Sequence, residues 1–454
     1  MAQITLEKAA AWCGGYVEKK YENRIFCGAE IDSRKIRPGQ MFVALKGARD
    51  GHDFIEAALA SGAAAVLCSR PAGDYPAIVV EDTRIALGQI AARFRWESGM
   101  TVVGITGSVG KSTTKEMVAA VLEGDFVVGK TPANFNNDLG LPMAILAMGE
   151  DTQVAVLEMG MSHFGEISYL THIARPDVAV ITNIGTMHMK NLGSREGILQ
   201  AKLEILEGMD ENAVFCLNAD DPLLQISREK IRQKVVSFGW HDEKADIHGK
   251  NVTQTPEKLT FTVENGTQSF PVELPLEGEH YVLDALSAVA VGLTLGVSPE
   301  RINQRLRRFR NMEGRQEIFR QNDVTIIKDC YNAGPESMAA ALKVLRARPG
   351  RHIAVLGDML ELGACSELAH GEVGQLAAQC ADVLLCYGPN SRITARMAQE
   401  CGMKETSVAV FDDRRAMARH LRRISRPGDV LLFKGSHGMH MELVLDYFLE
   451  EREK

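Results

Sequence analysis

The sequence predicts an α/β protein of three domains: a small α/β domain over residues 1–98, a mostly parallel domain with an antiparallel β appendage over 99–313, and a doubly wound domain over 314–454. Three observations support this prediction. The chain of 454 residues is too long for one hydrophobic core. Apolar runs alternate with helical patterns, as in parallel sheets covered by helices. This alternation starts again after a basic stretch at 305–315.

The first domain is predicted from three short apolar runs, at 41–45, 63–67 and 77–80. A helical pattern at 54–61 separates the first two runs. Apolar runs of about four to eight residues are typical of buried strands. A small sheet with helices packed on it is the simplest arrangement.

The central domain contains longer runs of strand character. They lie at 101–105, 154–157, 178–182 and 214–217. Their alternation with helical patterns predicts a mostly parallel sheet. Two further runs, 259–263 and 270–274, alternate apolar and polar residues around Asn265-Gly266, a dipeptide typical of hairpin turns. These two runs predict the antiparallel appendage.

A third series of alternating patterns predicts a separate, Rossmann-like C-terminal domain. Its strand candidates lie at 324–328, 353–356, 383–386, 408–411 and 430–433. Short connections between the domains are expected, because no low-complexity linker interrupts the sequence.

Composition excludes several classes of protein. The net charge of −8 excludes a broadly basic surface, so we expect no nucleic-acid partner. Nine cysteines without a CxxC pair indicate neither a disulfide framework nor a zinc site, and they favour the reducing cytoplasm. The N-terminal residues lack the layout of an export signal, and no apolar stretch reaches the ~18 residues of a membrane span. We therefore expect a protein that is neither exported nor inserted.

A glycine-rich turn joins the run at 101–105 to a helical pattern, which is the setting of a nucleotide-phosphate loop. Gly107 and Gly110 would let backbone amides surround phosphate oxygens, Lys111 would reach the β and γ phosphates, and Ser112 would ligate Mg²⁺. The standard motif would place its first glycine at position 105, but this chain has Ile105 there and carries the glycine at position 104. The predicted nucleotide contacts of the loop are Thr106, Gly107, Ser108, Val109, Gly110, Lys111, Ser112 and Thr113.

The loop predicts a central domain of P-loop ATPase type but does not choose a reaction, because kinases, GTPases and ligases all use it. The alternative is a strand-to-helix glycine turn that carries a lysine by chance.

Distinctive runs follow one another along nearly the whole chain. Besides the phosphate loop they are 32–34, 42–47, 50–52, 134–142, 158–160, 182–188, 201–204, 218–222, 329–337 and 357–363. In content and joint order they resemble the Mur ligase family, and within it the members that join D-alanyl-D-alanine to UDP-N-acetylmuramoyl-tripeptide. The resemblance implies an ATP-dependent amide ligase of peptidoglycan precursor synthesis in the bacterial cytoplasm, acting through an acyl phosphate. A monomer with small-molecule substrates is expected.

The resemblance also implies two Mg²⁺ ions, held by Ser112, Glu158, His188 and Lys202. Glu158 and His188 each follow a strand run, so both would project at the carboxyl edge of the sheet beside the phosphate loop. A carboxylate is an ordinary Mg²⁺ ligand, whereas imidazole is less usual for so hard an ion. The metal role of His188 therefore depends on the resemblance. Its alternative is a surface or hydrogen-bonding histidine.

In the family, the lysine that matches Lys202 is carbamylated by CO₂, and its carbamate helps to hold the second metal. A buried lysine of lowered pKa would react in this way. From the residues alone the alternative is a solvated helix lysine paired with Glu204 or Glu207.

The resemblance implies a catalytic set and further ATP contacts. The catalytic set is Lys111, His188, Lys202 and Arg315. The further ATP contacts are Asn134, Asn137, His280, Asp329, Tyr331 and Asn332. The alternatives are turn chemistry for the asparagines, packing for Tyr331 and a solvated position for Arg315.

The first domain would bind the uridine diphosphate end of the precursor. The expected contacts are Ser33, Arg34, Lys46, Gly47 and His52.

Four positions depart from the family pattern: Asp284, Gly334, His437 and His440. The first two replace asparagines in runs that contact the nucleotide, and His437 replaces an arginine. A histidine would bind acidic groups more weakly at neutral pH. These departures leave nucleotide contacts and substrate preference open.

Other functions remain open at this point. A relative that adds a single amino acid, such as diaminopimelate or lysine, and a folate polyglutamylating ligase share the reaction type. A nucleotide-dependent binding or scaffold protein that has lost catalysis belongs to a different class. The sequence does not choose the third residue of the stem peptide, nor between D-alanyl-D-alanine and a depsipeptide.

Overall fold

The computed structural model describes residues 3–70 and 73–450. Within this part of the chain, the strands form sheets of five, nine and six strands and one two-stranded ribbon. Each large sheet is mostly parallel and is covered by helices, which confirms the predicted α/β class with three domains. Among the described residues, no helix combines the length and the apolar character that crossing a membrane requires.

The first sheet lies in the N-terminal domain and is parallel except at one edge. Its strands in spatial order are Tyr16–Val17, Ala77–Val79, Ala65–Cys68, Met41–Val43 and Ala29–Glu30. A ribbon pairs Ile4–Thr5 with Ile25–Phe26. The helices are Leu6–Cys13, Lys19–Tyr21, Gly51–Phe54, Ile55–Ala60 and Thr83–Ser98, of which the second and third are 3₁₀ turns.

The long helix Thr83–Ser98 connects the first domain to the second. The Asp82 carboxylate accepts hydrogen bonds from the first free amides of the helix, and Gly99 ends it in the left-handed conformation with φ 67°. Arg95 lies on this helix and donates to the backbone of Ala174 in the central domain across 2.7 Å. The helix therefore belongs to the packing of both domains.

The central domain is built on the nine-stranded sheet. Its strands in spatial order are Ser269–Leu274, Leu259–Glu264, Ile247–Gln254, Lys234–Gly239, Val214–Asn218, Val178–Ile181, Thr101–Thr106, Val154–Glu158 and Val128–Lys130. Its helices are Lys111–Leu122, Gly140–Leu146, Glu166–Ala174, Met189–Leu192, Arg195–Leu203, Pro222–Ser227, Tyr281–Thr294 and Pro299–Leu306, with 3₁₀ turns at Glu204–Gly208 and Arg228–Lys230.

The predicted hairpin forms the outer edge of this sheet. Leu259–Glu264 and Ser269–Leu274 pair antiparallel across a turn in which Gly266 has φ 77°. The hairpin is continuous with the parallel strands, because Ile247–Gln254 pairs parallel with one neighbour and antiparallel with the other. This linking strand was not predicted, since its residues include polar side chains, Gly249 and a register shift after Lys250.

The C-terminal sheet is parallel apart from one edge strand. Its strands in spatial order are Glu317–Gln321, Val324–Asp329, Val430–Lys434, His352–Gly357, Val383–Tyr387 and Val408–Phe411. Its helices are Pro335–Ala347, Ser366–Cys380, Ser391–Glu400, Arg414–Ile424 and Glu442–Leu449, with 3₁₀ turns at Gly363–Cys365, Glu405–Ser407 and His437–Met439.

The topology places three chemistry-bearing segments at one edge of the central sheet. Thr101–Thr106, which leads into the phosphate loop, lies between Val154–Glu158 and Val178–Ile181. All three strands are parallel, and Glu158 is level with Ile105. Their carboxyl ends therefore meet beside the phosphate loop.

Candidate active site

The phosphate loop leaves the sheet at Thr106 and enters the helix Lys111–Leu122. Gly107 and Gly110 have φ values of 153° and 84°. A Cβ atom on Gly107 would lie 1.8 Å from Thr182 Oγ1, and one on Gly110 would lie 2.5 Å from Asp284 Oδ1. Both positions therefore require glycine for backbone conformation and for space.

Lys111 lies at the N-terminus of this helix, where backbone amides favour an anion. Its ammonium donates to the carbonyls of Gly107 and Ser108 across 2.8 and 3.2 Å. Burial lowers its pKa, the negative charge of Glu158 opposes that shift, and the positive charge of Arg315 adds to it. The lysine is thus held beside a ready-made phosphate site.

Residues that follow the neighbouring strand Val178–Ile181 hold the phosphate loop in its conformation through hydrogen bonds. Thr182 Oγ1 donates to the carbonyl of Val109 across 2.6 Å, and the Asn183 amide both accepts from Val109 N–H and donates to its carbonyl. Gly185 N–H donates to Ser108 Oγ across 2.9 Å. Because these bonds come from the segment that ends in His188, the loop and His188 form one unit.

Glu158 ends its strand with a side chain that is only 3% exposed. Its Oε1 accepts from Asn136 Nδ2 across 2.9 Å. Its Oε2 lies 3.9 Å from Lys115 Nζ and makes no hydrogen bond within the described chain. A buried carboxylate oxygen without a donor is costly unless a cation or a ligand satisfies it.

His188 has the left-handed backbone conformation, with φ 63°, which is rare outside glycine. Burial, followed by the charges of Lys111 and Lys202, lowers its pKa to about 4. The ring is therefore neutral at pH 7. Nδ1 lies 3.2 Å from Glu361 Oε2 in the third domain, but outside hydrogen-bonding geometry.

Lys202 is 2% exposed, and its side chain has no hydrogen bond or ion pair among the described residues. Burial, followed by the charge of Lys111, lowers its pKa well below the ordinary value. Glu204 accepts instead from the amides of Gly165 and Ser168, across 2.8 and 3.0 Å. The structure therefore does not form the helix ion pair that was the alternative for Lys202.

These side chains fit a hard metal ion together with a nucleotide. Within the described ranges, no three His, Cys, Asp or Glu side chains form a ready cluster. The available donors are the free oxygen of Glu158, the neutral ring of His188 and the hydroxyl of Ser112. Mg²⁺ usually combines few protein ligands with phosphate oxygens and water, so this sparse set suits it. A carbamate on Lys202 would add an anionic oxygen ligand.

Arg315 connects the beginning of the third domain to the phosphate loop. Its Nη2 donates to Ser112 Oγ across 2.9 Å. Its guanidinium stacks over the Tyr331 ring at 4.1 Å, and Asn311 donates to its carbonyl. The stacking and the bond aim a permanent positive charge at the loop. Tyr331 therefore packs against Arg315 while it also lines the cavity.

Asp284 packs directly against the loop at Gly110. Its Oδ1 accepts from Thr114 Oγ1 across 3.1 Å. Burial raises its pKa to about 7, although the Thr114 bond and the charge of Arg315 act in the opposite direction. A neutral carboxylic acid is thus accessible here near physiological pH.

The third-domain wall of the site contains Asp329, Tyr331 and Asn332. Asp329 pairs with the buried ammonium of Lys434 at 2.6 Å, and Lys434 also donates to the carbonyl of Asn332. Asn332 is exposed, and the His437 ring lies near Tyr331, with 6.0 Å between ring centroids and an angle of 42° between the ring planes.

The three asparagines of the 134–137 segment make different contacts. Asn137 Oδ1 accepts from Gly140 N–H across 2.8 Å, which is turn chemistry at the start of a helix. Asn134 is exposed, and its carbonyl accepts from Asn136 N–H. Asn136, which was not among the predicted contacts, binds Glu158. Spacing alone could not distinguish the three amides.

One cavity of about 1070 Å³ joins these groups and reaches all three domains. It extends from Arg84 at the start of the helix Thr83–Ser98, past the phosphate loop, to His280 and Tyr331. The residues that line it include Ser108 to Thr113, Asn137, Glu158, His188, His280, Arg315, Asp329, Tyr331 and Asn332. Lys202 is not among the described residues that line the cavity, but it interacts electrostatically with His188 and Lys111, which do.

The residues proposed for the uridine end follow two adjacent parallel strands. Ser33 and Arg34 follow Ala29–Glu30, and Lys46 and Gly47 follow Met41–Val43, so both pairs emerge at one edge of the first sheet. Arg34 forms two bonds to the carboxylate of its neighbour Asp32.

His52 is buried and uses both ring nitrogens inside the first domain. Nδ1 lies 2.6 Å from Asp50 Oδ1, and Nε2 accepts from Ser69 N–H across 3.0 Å. These bonds orient the 46–52 turn.

Three residues at or near the cavity were not predicted as site residues from the sequence. Glu336 lines the cavity from the third domain, Gln316 binds Asp329 and the backbone of Glu277, and Lys434 binds Asp329. Their partners lie between 13 and 150 residues away in sequence, so the sequence did not predict these contacts.

The chain matches three family models. They are described as Mur ligase family, catalytic domain, over residues 27–95; Mur ligase middle domain, over 105–292; and Mur ligase, glutamate ligase domain, over 314–437.

Curated relatives and solved structures agree with these matches. The UDP-N-acetylmuramoyl-tripeptide--D-alanyl-D-alanine ligases of Bacillus subtilis (strain 168) and Escherichia coli (strain K12) are 39% and 37% identical to the chain. The alignments cover 96% and 91% of this chain and 96% and 92% of those enzymes.

A crystal structure of MurF from Acinetobacter baumannii has a TM-score of 0.91 at 33% identity, over 99% of this chain and 100% of that one. The Thermotoga maritima MurF ligase in complex with ADP has a TM-score of 0.83 at 32% identity, over 93% and 97%. With this coverage of all three domains, the chain belongs to the Mur ligase family.

Proposed function

We propose that this protein is the ATP-dependent ligase that joins D-alanyl-D-alanine to UDP-N-acetylmuramoyl-tripeptide. The observation that carries the proposal is one cavity in which Lys111, Glu158 and His188 face groups from the first and third domains. A reaction of three substrates requires such a meeting point. The names of the relatives from Bacillus subtilis and Escherichia coli support the choice of substrates.

The reaction begins at the phosphate loop. The terminal carboxylate of the tripeptide attacks the γ phosphorus of ATP, which forms an acyl phosphate and releases ADP. Lys111 and Arg315 supply positive charge where negative charge develops on the transferred phosphoryl group. The structure of the Thermotoga maritima MurF ligase in complex with ADP supports nucleotide binding by this chain.

The amine of the dipeptide then attacks the acyl carbon, and phosphate leaves as the amide bond forms. No side-chain nucleophile is needed, so the protein contributes positioning, charge and exclusion of water. Exclusion of water falls to the third domain, whose residues Tyr331 and Glu336 close one side of the cavity.

Metal binding is assigned to Ser112, Glu158, His188 and the carbamate form of Lys202. When bound, Mg²⁺ supplies positive charge that neutralises phosphate and carboxylate oxygens. Glu158 offers its unpaired Oε2 and His188 its neutral ring. Two ions are proposed, which these residues would hold together with phosphate oxygens.

Burial and a lowered pKa support the proposed carbamylation of Lys202. The lowered pKa of Lys202 favours the neutral amine, whose nitrogen lone pair would attack the carbon of CO₂. A C–N bond forms, one C=O electron pair moves to oxygen as a negative charge, and the nitrogen releases a proton to water. The product places an anion where Lys202 has no other partner.

The first domain is proposed to hold the uridine diphosphate end of the precursor. Ser33, Arg34, Lys46 and Gly47 lie at the edge where two parallel strands end, and His52 orients the second of these turns. The cavity reaches this domain at Arg84, so one extended substrate can connect the two regions.

The test is substrate-dependent phosphate release by purified protein. With ATP, Mg²⁺ and UDP-muramoyl-tripeptide, we expect release only when D-alanyl-D-alanine is added, and a product of matching mass. Lys111→Ala should be inactive under the same conditions. Use of single amino acids with refusal of the dipeptide would contradict the substrate assignment, and preference for D-alanyl-D-lactate would redirect it.

A further inference from the structure

Glu336 forms a contact across the boundary between the central and third domains. It lies in the first turn of the helix Pro335–Ala347. Its Oε1 accepts hydrogen bonds from Thr186 N–H across 2.9 Å and from Thr186 Oγ1 across 3.0 Å. Glu336 and Thr186 are 150 residues apart, so only domain packing brings them together.

The turn that Glu336 binds is part of the phosphate-loop unit. Gly185 N–H donates to Ser108 Oγ, and the backbone reaches His188 three residues later. A Cβ atom on Gly185 would lie 2.7 Å from Glu336 Oε1 and 3.1 Å from Ser108 Cβ. Glycine is therefore needed at position 185, because a side chain there would clash with the Glu336 carboxylate and crowd Ser108 of the phosphate loop.

Glu336 makes strong hydrogen bonds through one carboxylate oxygen but, within the described chain, none through the other. Hydrogen bonds to a charged acceptor are among the stronger ones in proteins. Glu336 Oε2, however, is buried and has no hydrogen-bond partner within residues 3–70 and 73–450. Opening of the domain boundary would return this oxygen to water, which offsets part of the bonds lost by Oε1. Such a contact can form and break without a deep energy minimum.

We infer that Glu336 is a positioning residue, which fixes the third domain against the Gly185–Thr186 turn and so holds the closed site in register with the phosphate loop. The inference rests on the proposed function for its role in the reaction. The contact itself is independent of which amine is the acceptor. Glu336 acts through Thr186 and the loop, and it does not touch the reacting atoms.

Three variants test the contact. Glu336→Ala removes the acceptor, Glu336→Gln keeps an acceptor oxygen without the charge, and Thr186→Val removes the hydroxyl donor but keeps the backbone N–H. Glu372→Ala is the matched control, because Glu372 is an exposed glutamate on another helix of the same domain.

We expect Glu336→Ala to lower kcat/KM for the dipeptide about tenfold or more, since two charge-assisted bonds are lost. Glu336→Gln should remain within about threefold of the unmodified protein, because its amide oxygen can accept both bonds. ADP affinity should change little in either variant. The double variant Glu336→Ala with Thr186→Val should be no worse than Glu336→Ala, because the two residues share one contact.

Small-angle X-ray scattering of the ligand-free proteins gives a readout that needs no substrate. The radius of gyration should increase in Glu336→Ala and stay unchanged in Glu336→Gln and Glu372→Ala. Unchanged scattering and kinetics in Glu336→Ala would overturn the inference. The inference would also be overturned if Glu336→Gln lowered kcat/KM as much as Glu336→Ala. Additive effects of Glu336→Ala and Thr186→Val in the double variant would overturn it too. If the unmodified protein uses no dipeptide, the proposed function fails, and scattering still decides the role of Glu336.

Discussion

Arg315 Nη2 donates a hydrogen bond to Ser112 Oγ across 2.9 Å, which joins the first residues of the third domain to the phosphate loop. The guanidinium is held by stacking on Tyr331 at 4.1 Å, so its position depends on the third domain. Serine hydroxyls have two acceptor lone pairs, and Ser112 can therefore bind Arg315 and still face a metal. Closure of the third domain and assembly of the phosphate site are thus coupled.

Replacement of Arg315 should damage chemistry more than binding. We expect Arg315→Ala to lower kcat about 100-fold or more, as is typical for the loss of one preorganised donor in the transition state. Arg315→Lys keeps the charge but loses the planar stacking on Tyr331, so an intermediate loss is expected. Steady-state kinetics and ADP titration measure the two effects, with exposed Arg308→Lys as control. Loss of ADP affinity with unchanged kcat would contradict this role.

Lys202 should make activity depend on CO₂. In CO₂-depleted buffer we expect the rate to fall and bicarbonate to restore it, because the lowered pKa of the buried amine favours its proposed reaction with CO₂. Labelled ¹³CO₂ should give a carbamate signal by NMR, which Lys202→Arg should lack. Activity independent of CO₂, together with no such signal, would exclude carbamylation.

The same lysine should be dispensable for stability. Lys202→Met replaces an amine that has no partner among the described residues with an apolar chain of similar length. We expect an inactive protein with an equal or higher Tm, since a buried unpaired polar group costs free energy. A marked fall in Tm would indicate a structural role for the lysine instead.

Asp284 should make stability fall as pH rises. Burial raises its pKa from the ordinary 3.8 to about 7, so the folded protein binds the proton more tightly than the unfolded chain. The contribution is complete below pH 3.8 and is lost between there and about pH 7, on the order of 1.4 kcal/mol per pH unit. Asp284→Asn should remove this dependence, and urea unfolding at several pH values measures it. Parallel pH profiles of the two proteins would refute the assignment.

Glu158 should set the requirement for Mg²⁺. Glu158→Gln keeps an oxygen that can accept from Asn136 but removes the charge at the unpaired Oε2 position. We expect the Mg²⁺ concentration for half-maximal rate to rise about tenfold or more, because Mg²⁺ prefers anionic oxygen ligands. Glu116→Gln, which affects a partner of Lys115 and Lys130 outside the cavity, is the control. An unchanged Mg²⁺ response would remove Glu158 from the metal site.

Local pattern was sufficient for the sheet cores and the phosphate loop. The runs beginning at Thr101, Val154 and Val178 became adjacent parallel strands, since buried parallel strands are continuous apolar segments. Short or polar strands such as Val128–Lys130 and Glu317–Gln321 were not predicted, because their side chains are half exposed. The free nitrogen of Lys202 and the contact of Asp284 with Gly110 could not be foreseen either.

The order of residues alone determined which chemistry is available: a strand, two glycines and Lys111 for phosphate, with Glu158 and His188 at the ends of neighbouring strands. Tertiary structure decided which of these groups have partners, what their charge states are and which distant residues join them. Glu204 binds the amides of Gly165 and Ser168, which leaves Lys202 unpaired. The physical reason is that burial and hydrogen bonding depend on contacts between distant segments, which residue spacing does not encode.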